Sequence, residues 1–184
     1  MSRQPGEEVL NAAGVAALLD GLTLAVAERF GDDPGLCVIG IRRRGDELAR
    51  RLNRMLGDRL GRTLDCGTLD ITLYRDDFDS LSEQPVVGAT EISFPLDGRT
   101  VVLVDDVLFT GRTIRAALDE ILELGRPSRV VLVVLVDRGW RELPIEAALV
   151  GPRLETSRDD DVQVLLEGSD GVDRVELRRG SRGG

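Results

Sequence analysis

The sequence predicts an α/β domain with a mostly parallel central sheet flanked by helices. Three observations carry that prediction. Leu36–Ile41, Thr100–Val104 and Arg129–Val136 are nearly unbroken apolar runs, the pattern of strands buried on both faces. Segments of helical periodicity separate them, so strand and helix alternate as βαβ units require. Each run ends in polar residues, and ligands gather beyond the carboxyl ends of parallel strands. With 184 residues and 42% hydrophobic content, residues 1–184 are expected to form a single domain with a substantial core.

Taken in order, residues 11–30 read as a first helix, with Val15, Leu18, Leu22 and Val26 at helical spacing and Asn11 as candidate N-cap. A turn at 31–35 leads into the Leu36–Ile41 strand. The basic loop Arg42-Arg43-Arg44-Gly45 precedes a second helix over 46–60, with Leu48, Leu52, Met55 and Leu56 on one face. Residues 69–74 have strand composition, 75–87 are a polar, acid-rich exposed loop, and 89–94 return as a strand, so 70–99 forms an excursion from the core. The strand 100–104 is followed by a helix over 112–125 with Ile114, Leu118 and Ile121 inward, stopped by Gly125 and Pro127. Short strands follow at 148–150, 162–166 and 172–177, the last two around a Gly168-Ser169-Asp170-Gly171 turn, and 181–184 is a frayed tail.

Composition excludes much chemistry. The chain has no His and no Lys, so all 24 of its basic residues are Arg. That removes His general-base catalysis, His ligation, Schiff-base lysines and the P-loop lysine. Cys37 and Cys66 lie far apart and without His do not make a usual structural zinc site; both read as small buried residues, not a disulfide. No metal-ligating set is assigned. The net charge of −9 argues against bulk nucleic-acid binding. Residues 41–62 nevertheless carry eight Arg against three acids, which is either a phosphate-meeting face or a solvated helix side. No run reaches membrane-span length and Met1–Asn11 lacks a secretory pattern, so no membrane partner and a cytoplasmic location are expected.

The chemistry concentrates between Val101 and Thr113. Gly111 lets backbone N–H groups turn toward an anion, Thr110 and Thr113 add hydroxyl donors, and the N-terminus of the following helix favours phosphate. Asp105 and Asp106 suit sugar hydroxyls, or a cation between them and a phosphate. The constellation asks for a phosphorylated, hydroxylated ligand, most simply a ribose 5-phosphate. An acidic turn with a threonine N-cap is the bland alternative, but two carboxylates straight after a buried strand are costly without a purpose.

Val101–Thr113 resembles the 5-phosphoribosyl pyrophosphate (PRPP) signature of type I phosphoribosyltransferases. Leu69–Asp77, Gly125–Arg129, and Leu135–Gly139 with Arg141–Ile145 resemble one subfamily, the bacterial pyrimidine operon attenuation regulators that are also uracil phosphoribosyltransferases, the PyrR family. The likeness runs from about residue 9 to 177. It implies the type I phosphoribosyltransferase fold, with a flap over 70–99 and a small C-terminal hood. It implies that Thr110, Gly111, Arg112 and Thr113 hold the 5-phosphate, with Val107, Leu108 and Phe109 in the same binding stretch, and that Asp105 and Asp106 hold the ribose hydroxyls. Arg43, Arg44 and Gly45 would hold pyrophosphate, Asp137, Arg138 and Gly139 would border the pyrophosphate and base, and Arg75 would close over the ligand with the flap. Arg44, Arg75, Asp105, Asp106 and Asp137 are the catalytic candidates so implied. Mg2+ would ride on the substrate. The implied partners are uracil, PRPP, UMP and a pyrimidine operon leader RNA, the last bound by Arg141, Arg153 and Arg158, in a homodimer or a tetramer of paired dimers.

The chain departs from that pattern at four places: Arg43 stands where the family has Thr, Trp140 where it has His, Pro152 where it has Lys, and Glu155 where it has Pro. These bear more on RNA binding than on sugar chemistry, since phosphate contacts dominate RNA affinity. Two alternatives follow: a non-catalytic, UMP-sensing RNA-binding regulator, or a type I phosphoribosyltransferase with another base. Uracil-dependent UMP formation and base competition separate them.

Overall fold

Strands that must be apolar on both faces need helices on both sides, and the chain supplies them. A computed structural model describes residues 6–71 and 89–180. Along these run β1 (Glu7–Leu10), α1 (Ala12–Phe30), β2 (Leu36–Ile41), α2 (Gly45–Leu60), β3 (Asp65–Leu69) and β4 (Thr100–Leu108). Then come α3 (Arg112–Leu124), β5 (Arg129–Asp137), β6 (Leu149–Val150), β7 (Asp161–Leu165), α4 (Glu167–Asp170) and β8 (Arg174–Arg178). Five strands form a sheet in the order β3-β2-β4-β5-β6, every pair parallel. Three more, β1-β8-β7, form a small antiparallel sheet.

Alternate residues of each central strand serve opposite faces. Leu36, Val38, Val102, Val104, Val131 and Val133 pack with Val15, Leu19, Leu22 and Val26 of α1 and Leu48, Leu52 and Leu56 of α2. Cys37, Ile39, Ile41, Val101, Leu103, Leu132 and Val134 pack with Ile114, Ala117 and Ile121 of α3. Val162, Val164, Val175 and Leu177 of the small sheet join the first cluster, so this hood is bound to the α1–α2 side. Asn11 caps α1 as expected: its Oδ1 accepts from Gly14 N–H at 3.0 Å.

α2 lies unusually close to the sheet. A Cβ on Gly40 would stand 2.4 Å from Asp46 Cα, and one on Gly45 would stand 2.6 Å from the Val104 carbonyl oxygen. Two glycines at this contact therefore seat the N-terminus of α2 directly against β2 and β4.

Several expected boundaries are corrected. The expected strand at 69–74 instead begins at Asp65 and ends at Leu69, because its ladder with β2 closes at the Ile41–Leu69 pair; residues 72–74 lie outside the described residues. The expected strand at 89–94 is reduced to one antiparallel bridge, Glu91 with Thr68, while Ile92, Phe94 and Leu96 turn into the α3-side cluster. β4 does not stop at Val104 but continues through both acids to Leu108. The edge strand β1 was not expected. Of the proposed flap, residues 72–88 lie outside the described residues, as do Arg75 and the tail at 181–184.

Both cysteines are free. Burial pushes the Cys37 thiol up to about 11 and raises that of Cys66, so neither is a ready nucleophile. Among the described residues no helix is long and apolar enough to cross a membrane.

The turn into β7 hangs on Asp160, which is 6% exposed. Its carboxylate accepts from Ser157 N–H at 2.7 Å, Gly180 N–H at 2.9 Å and Arg179 Nη1 at 3.1 Å. These donors, the Ser157 and Gly180 backbone first, hold its pKa far below the usual carboxylate range. Asp33, Asp170 and Asp173 are also depressed. A depressed folded-state pKa stabilises above the unfolded value and is lost as pH falls toward the folded one. Stability is therefore expected to drop as pH falls below about 4. Urea midpoints measured from neutral to acid pH should show this, with a flatter fall for Asp160→Asn.

Candidate active site

The carboxyl end of β4 sets the site. Asp105 is buried at 4% exposure and its Oδ1 accepts from Asp106 N–H at 3.0 Å. Asp106 is half-buried, and its Oδ1 accepts from Val107 N–H at 2.9 Å. The chain then turns through Gly111, at φ +92°, into α3. The Thr110 carbonyl oxygen accepts from Glu142 and Leu143 N–H at 2.9 and 3.1 Å, and Thr110 Oγ1 accepts from Arg112 N–H at 3.2 Å. The loop is thereby fixed with the first-turn N–H groups of α3 behind it, the geometry of an anion cradle.

β2 delivers Arg44 to the same place. Arg44 sits at the start of α2 with φ +69°, in a loop whose Arg42–Arg43 peptide is cis. Gly45 lies against Val104 and Asp105 of β4. β5 delivers Asp137, Arg138 and Gly139. The Arg138 guanidinium stacks 3.9 Å over the Phe109 ring and donates to the Arg158 carbonyl oxygen at 3.2 Å. Burial lowers its pKa, with Asp161 and Asp160 opposing that shift.

Arg44, Asp105–Ile114, Arg138, Glu142 and Asp161–Val164 line a cleft of about 480 Å3. The structure thus brings together Arg44, Asp105, Asp106, the Val107–Thr113 loop and Arg138. Gly45, Asp137 and Gly139 are not among the lining residues; Gly45 lies against Asp105, which is. Arg43 is exposed and is not among the lining residues. Asp137 Oδ1 accepts from Gly139 N–H at 2.8 Å, and Oδ2 from Arg141 Nη2 at 2.7 Å.

Arg141, expected among the RNA contacts, has its guanidinium turned inward. It also donates to the carbonyl oxygens of Ile145 at 2.9 Å, Phe109 at 2.8 Å and Gly139 at 3.2 Å. Arg153 and Arg158 are exposed, the latter paired with Glu142, which also takes Arg112 Nε at 2.9 Å. Trp140, at φ +61° and 45% exposed, donates its indole N–H to Thr156.

The wall contributed by β7 and Glu142 was not among the expected site residues. No local motif marks it. The only signal was the alternation Asp161-Val162-Gln163-Val164, which says that one face is buried and not what it faces.

Within the basic segment 41–62, most guanidinium groups are engaged. Arg42 pairs with Glu91, Arg44 with Asp170, Arg50 with Asp46, Arg51 with Glu47 and Asp173, and Arg59 with Asp20. Arg62 donates to the carbonyl oxygens of Gly31, Asp33 and Pro34. The segment is therefore chiefly a charge-paired helix side, the second of the two readings its composition left open.

Comparison with known proteins places the chain. Residues 7–168 match the phosphoribosyl transferase domain family. The chain is 49% identical over 174 residues to the bifunctional protein PyrR of Syntrophobacter fumaroxidans, covering 95% of this chain and 94% of that protein. It is 48% identical over 170 residues to the bifunctional protein PyrR of Thermus thermophilus, covering 92% and 94%. Among solved structures, it resembles a purine phosphoribosyltransferase from Pyrococcus horikoshii, with a TM-score of 0.61 at 25% identity over 79% of this chain and 86% of that one. It also resembles the hypoxanthine phosphoribosyltransferase of Trypanosoma cruzi, with a TM-score of 0.71 at 14% identity over 97% and 94%. A parallel sheet that ends in a paired-aspartate strand and an anion loop, and a match of this length to both the domain and the named relatives, make the chain a member of the PyrR family of phosphoribosyltransferases.

Proposed function

We propose that the chain converts uracil and PRPP to UMP and pyrophosphate, and that it also binds pyrimidine operon leader RNA in response to UMP. One observation supports the enzyme reading most: Arg44 after β2, and Asp105, Asp106 and the Thr110–Thr113 loop at the end of β4, line one cleft.

The 5-phosphate fits the N-terminus of α3, where Thr113 adds its hydroxyl. Asp105 and Asp106 hold the ribose hydroxyls. Arg44 meets the pyrophosphate with a charged fork suited to phosphate oxygens. The bond from C1 to the pyrophosphate oxygen breaks and a bond from C1 to uracil N1 forms, the N1 proton leaving to solvent or pyrophosphate. Positive charge develops on the ribose, beside the two carboxylates, and negative charge on the departing group, beside Arg44. Catalysis is then positioning and electrostatic stabilisation, which needs neither His nor Lys. Among the described residues no group of three His, Cys, Asp or Glu could hold a metal ion. Two adjacent carboxylates fit Mg2+ that arrives with PRPP and keeps most of its ligands from water and phosphate.

Relatives named bifunctional support a second activity. Arg153 and Arg158 are the exposed members of the RNA set, and Arg141 serves them through the fold.

The test is pyrophosphate release by purified protein with PRPP, Mg2+ and uracil. Release with uracil and not with hypoxanthine is expected; no release with uracil overturns the enzyme reading. Filter binding to a pyrimidine leader RNA, with and without UMP, tests the regulator. Binding no tighter than to a scrambled RNA overturns it.

A further inference from the structure

Asp170 does not line the cleft, yet it holds a residue that does. We infer that Asp170 is a positioning residue for the pyrophosphate-binding arginine, gripping the Arg44 guanidinium by one edge and leaving its far end for the leaving group. This rests on the proposed role of Arg44.

The geometry of the pair is the first support. Arg44 Nε donates to Asp170 Oδ2 at 3.2 Å and Nη2 to Oδ1 at 3.1 Å. This side-on fork uses two of the five guanidinium N–H groups. Both Nη1 hydrogens and one on Nη2 remain for oxygens of a ligand in the cleft.

The anchoring of Asp170 is the second. Its Oδ2 also accepts from Leu166 N–H at 3.0 Å, which fixes the carboxylate on its own turn. The Arg44 fork, with that backbone donor adding to it, keeps the carboxyl below the usual range, so the pair stays charged at neutral pH.

The third support is that α4 is docked on α2 without help from Arg44. Glu47, 8% exposed, accepts from Gly168 N–H at 3.0 Å and Ser169 Oγ at 2.8 Å. Arg51 donates to Glu47 at 2.6 Å and to both oxygens of Asp173, at 2.7 and 2.9 Å. Asp173 in turn accepts from Glu167 N–H at 2.7 Å. A Cβ on Gly168 would stand 2.9 Å from the Glu47 carboxylate, so the approach is as close as it can be. The hood turn is thus a rigid platform clamped to the first turns of α2, and Asp170 is the part of it that faces the arginine.

A long arginine side chain loses rotamer freedom when it binds. One already held in a fork has lost it before the ligand arrives, which strengthens binding by preorganisation. The opposite role is conceivable from the same contact: a carboxylate that occupies the arginine competes with pyrophosphate. The side-on fork argues against it, because the end of the guanidinium is left open.

The experiment is calorimetric binding of PRPP with Mg2+ to the full chain, wild type, Asp170→Asn and Asp170→Ser. Both replacements keep an acceptor for Leu166 N–H, and thermal melting of each reports folding. Asp170→Asn is expected to raise the Kd for PRPP, and the KM for PRPP in turnover, about tenfold, leaving the KM for uracil unchanged. On an Arg44→Ala background it should have no further effect, which a merely structural role would not produce. Wild-type binding with an unchanged or lowered Kd in the variants overturns the positioning role and leaves the functional reading standing. A wild-type chain that binds no PRPP overturns both.

Discussion

Arg141→Ala is expected to lower the unfolding free energy by about 3 kcal/mol, more than any other single change at the site. The guanidinium joins three segments. It closes on Asp137 at the end of β5, on the Phe109 carbonyl in the β4–α3 loop and on the Ile145 carbonyl beyond, while the Gly139 and Leu108 carbonyls add a fourth and a fifth acceptor. The side chains of Arg141 and Asp137 are only 21% and 12% exposed. Alanine would take the cation from a mostly buried carboxylate and a donor from four carbonyl oxygens, and each group left short of a partner carries its own desolvation penalty. Lysine would keep the charge but is a single point donor, so Arg141→Lys should recover the Asp137 contact and not the carbonyls. Equilibrium urea denaturation gives the ordering wild type, then Lys, then Ala. Equal midpoints for all three would show that the knot contributes nothing. RNA affinity should fall in proportion to the loss of folded protein, since Arg141 offers its donors to the interior.

That residue marks where sequence reasoning ran out. An arginine beside a glycine and a tryptophan reads as surface charge, and only the three-dimensional return of residues 137–145 on the β4–α3 loop turns it inward. The central sheet was legible because strands covered on both faces must be apolar throughout, so Leu36–Ile41 and Arg129–Val136 announce themselves. β4 was legible only to Val104. Its ladder to β5 continues through Asp105–Val134, Val107–Val136 and Leu108–Asp137, but two acids look like the end of a strand. The anion loop was readable because Gly111 needs its positive φ where the strand gives way to a helix. Of the hood, the β7–β8 hairpin was legible from its turn at 168–171, but β1, which finds its partner at 175–177, and the reach of β7 into the cleft were not. Pairings of that sequence separation leave no local trace, and the bonds that join Glu47, Asp170 and Asp173 across the chain leave none for the same reason.

Asp106→Asn is expected to lower kcat/KM for PRPP by about 10²–10³-fold with little change in melting temperature. Asparagine has the shape of aspartate and still offers Val107 N–H an oxygen at the position that now accepts it at 2.9 Å. What it removes is the negative charge beside a ribose that becomes positive only as the pyrophosphate bond breaks. A charge that matters mainly in the transition state is lost from kcat more than from KM. Asp105 should behave differently. It is 4% exposed, lies within the β4–β5 ladder and faces the close approach of Gly45. Asp105→Asn is therefore expected to cost stability as well as rate, because its neighbours are fixed around a carboxylate. The two residues are adjacent and serve one ribose, so their effects should not add: the double variant should lose less than the product of the single losses. Steady-state rates for the two single variants and the double, read beside their melting temperatures, decide it. Full multiplicativity would show that the two carboxylates act on separate parts of the substrate.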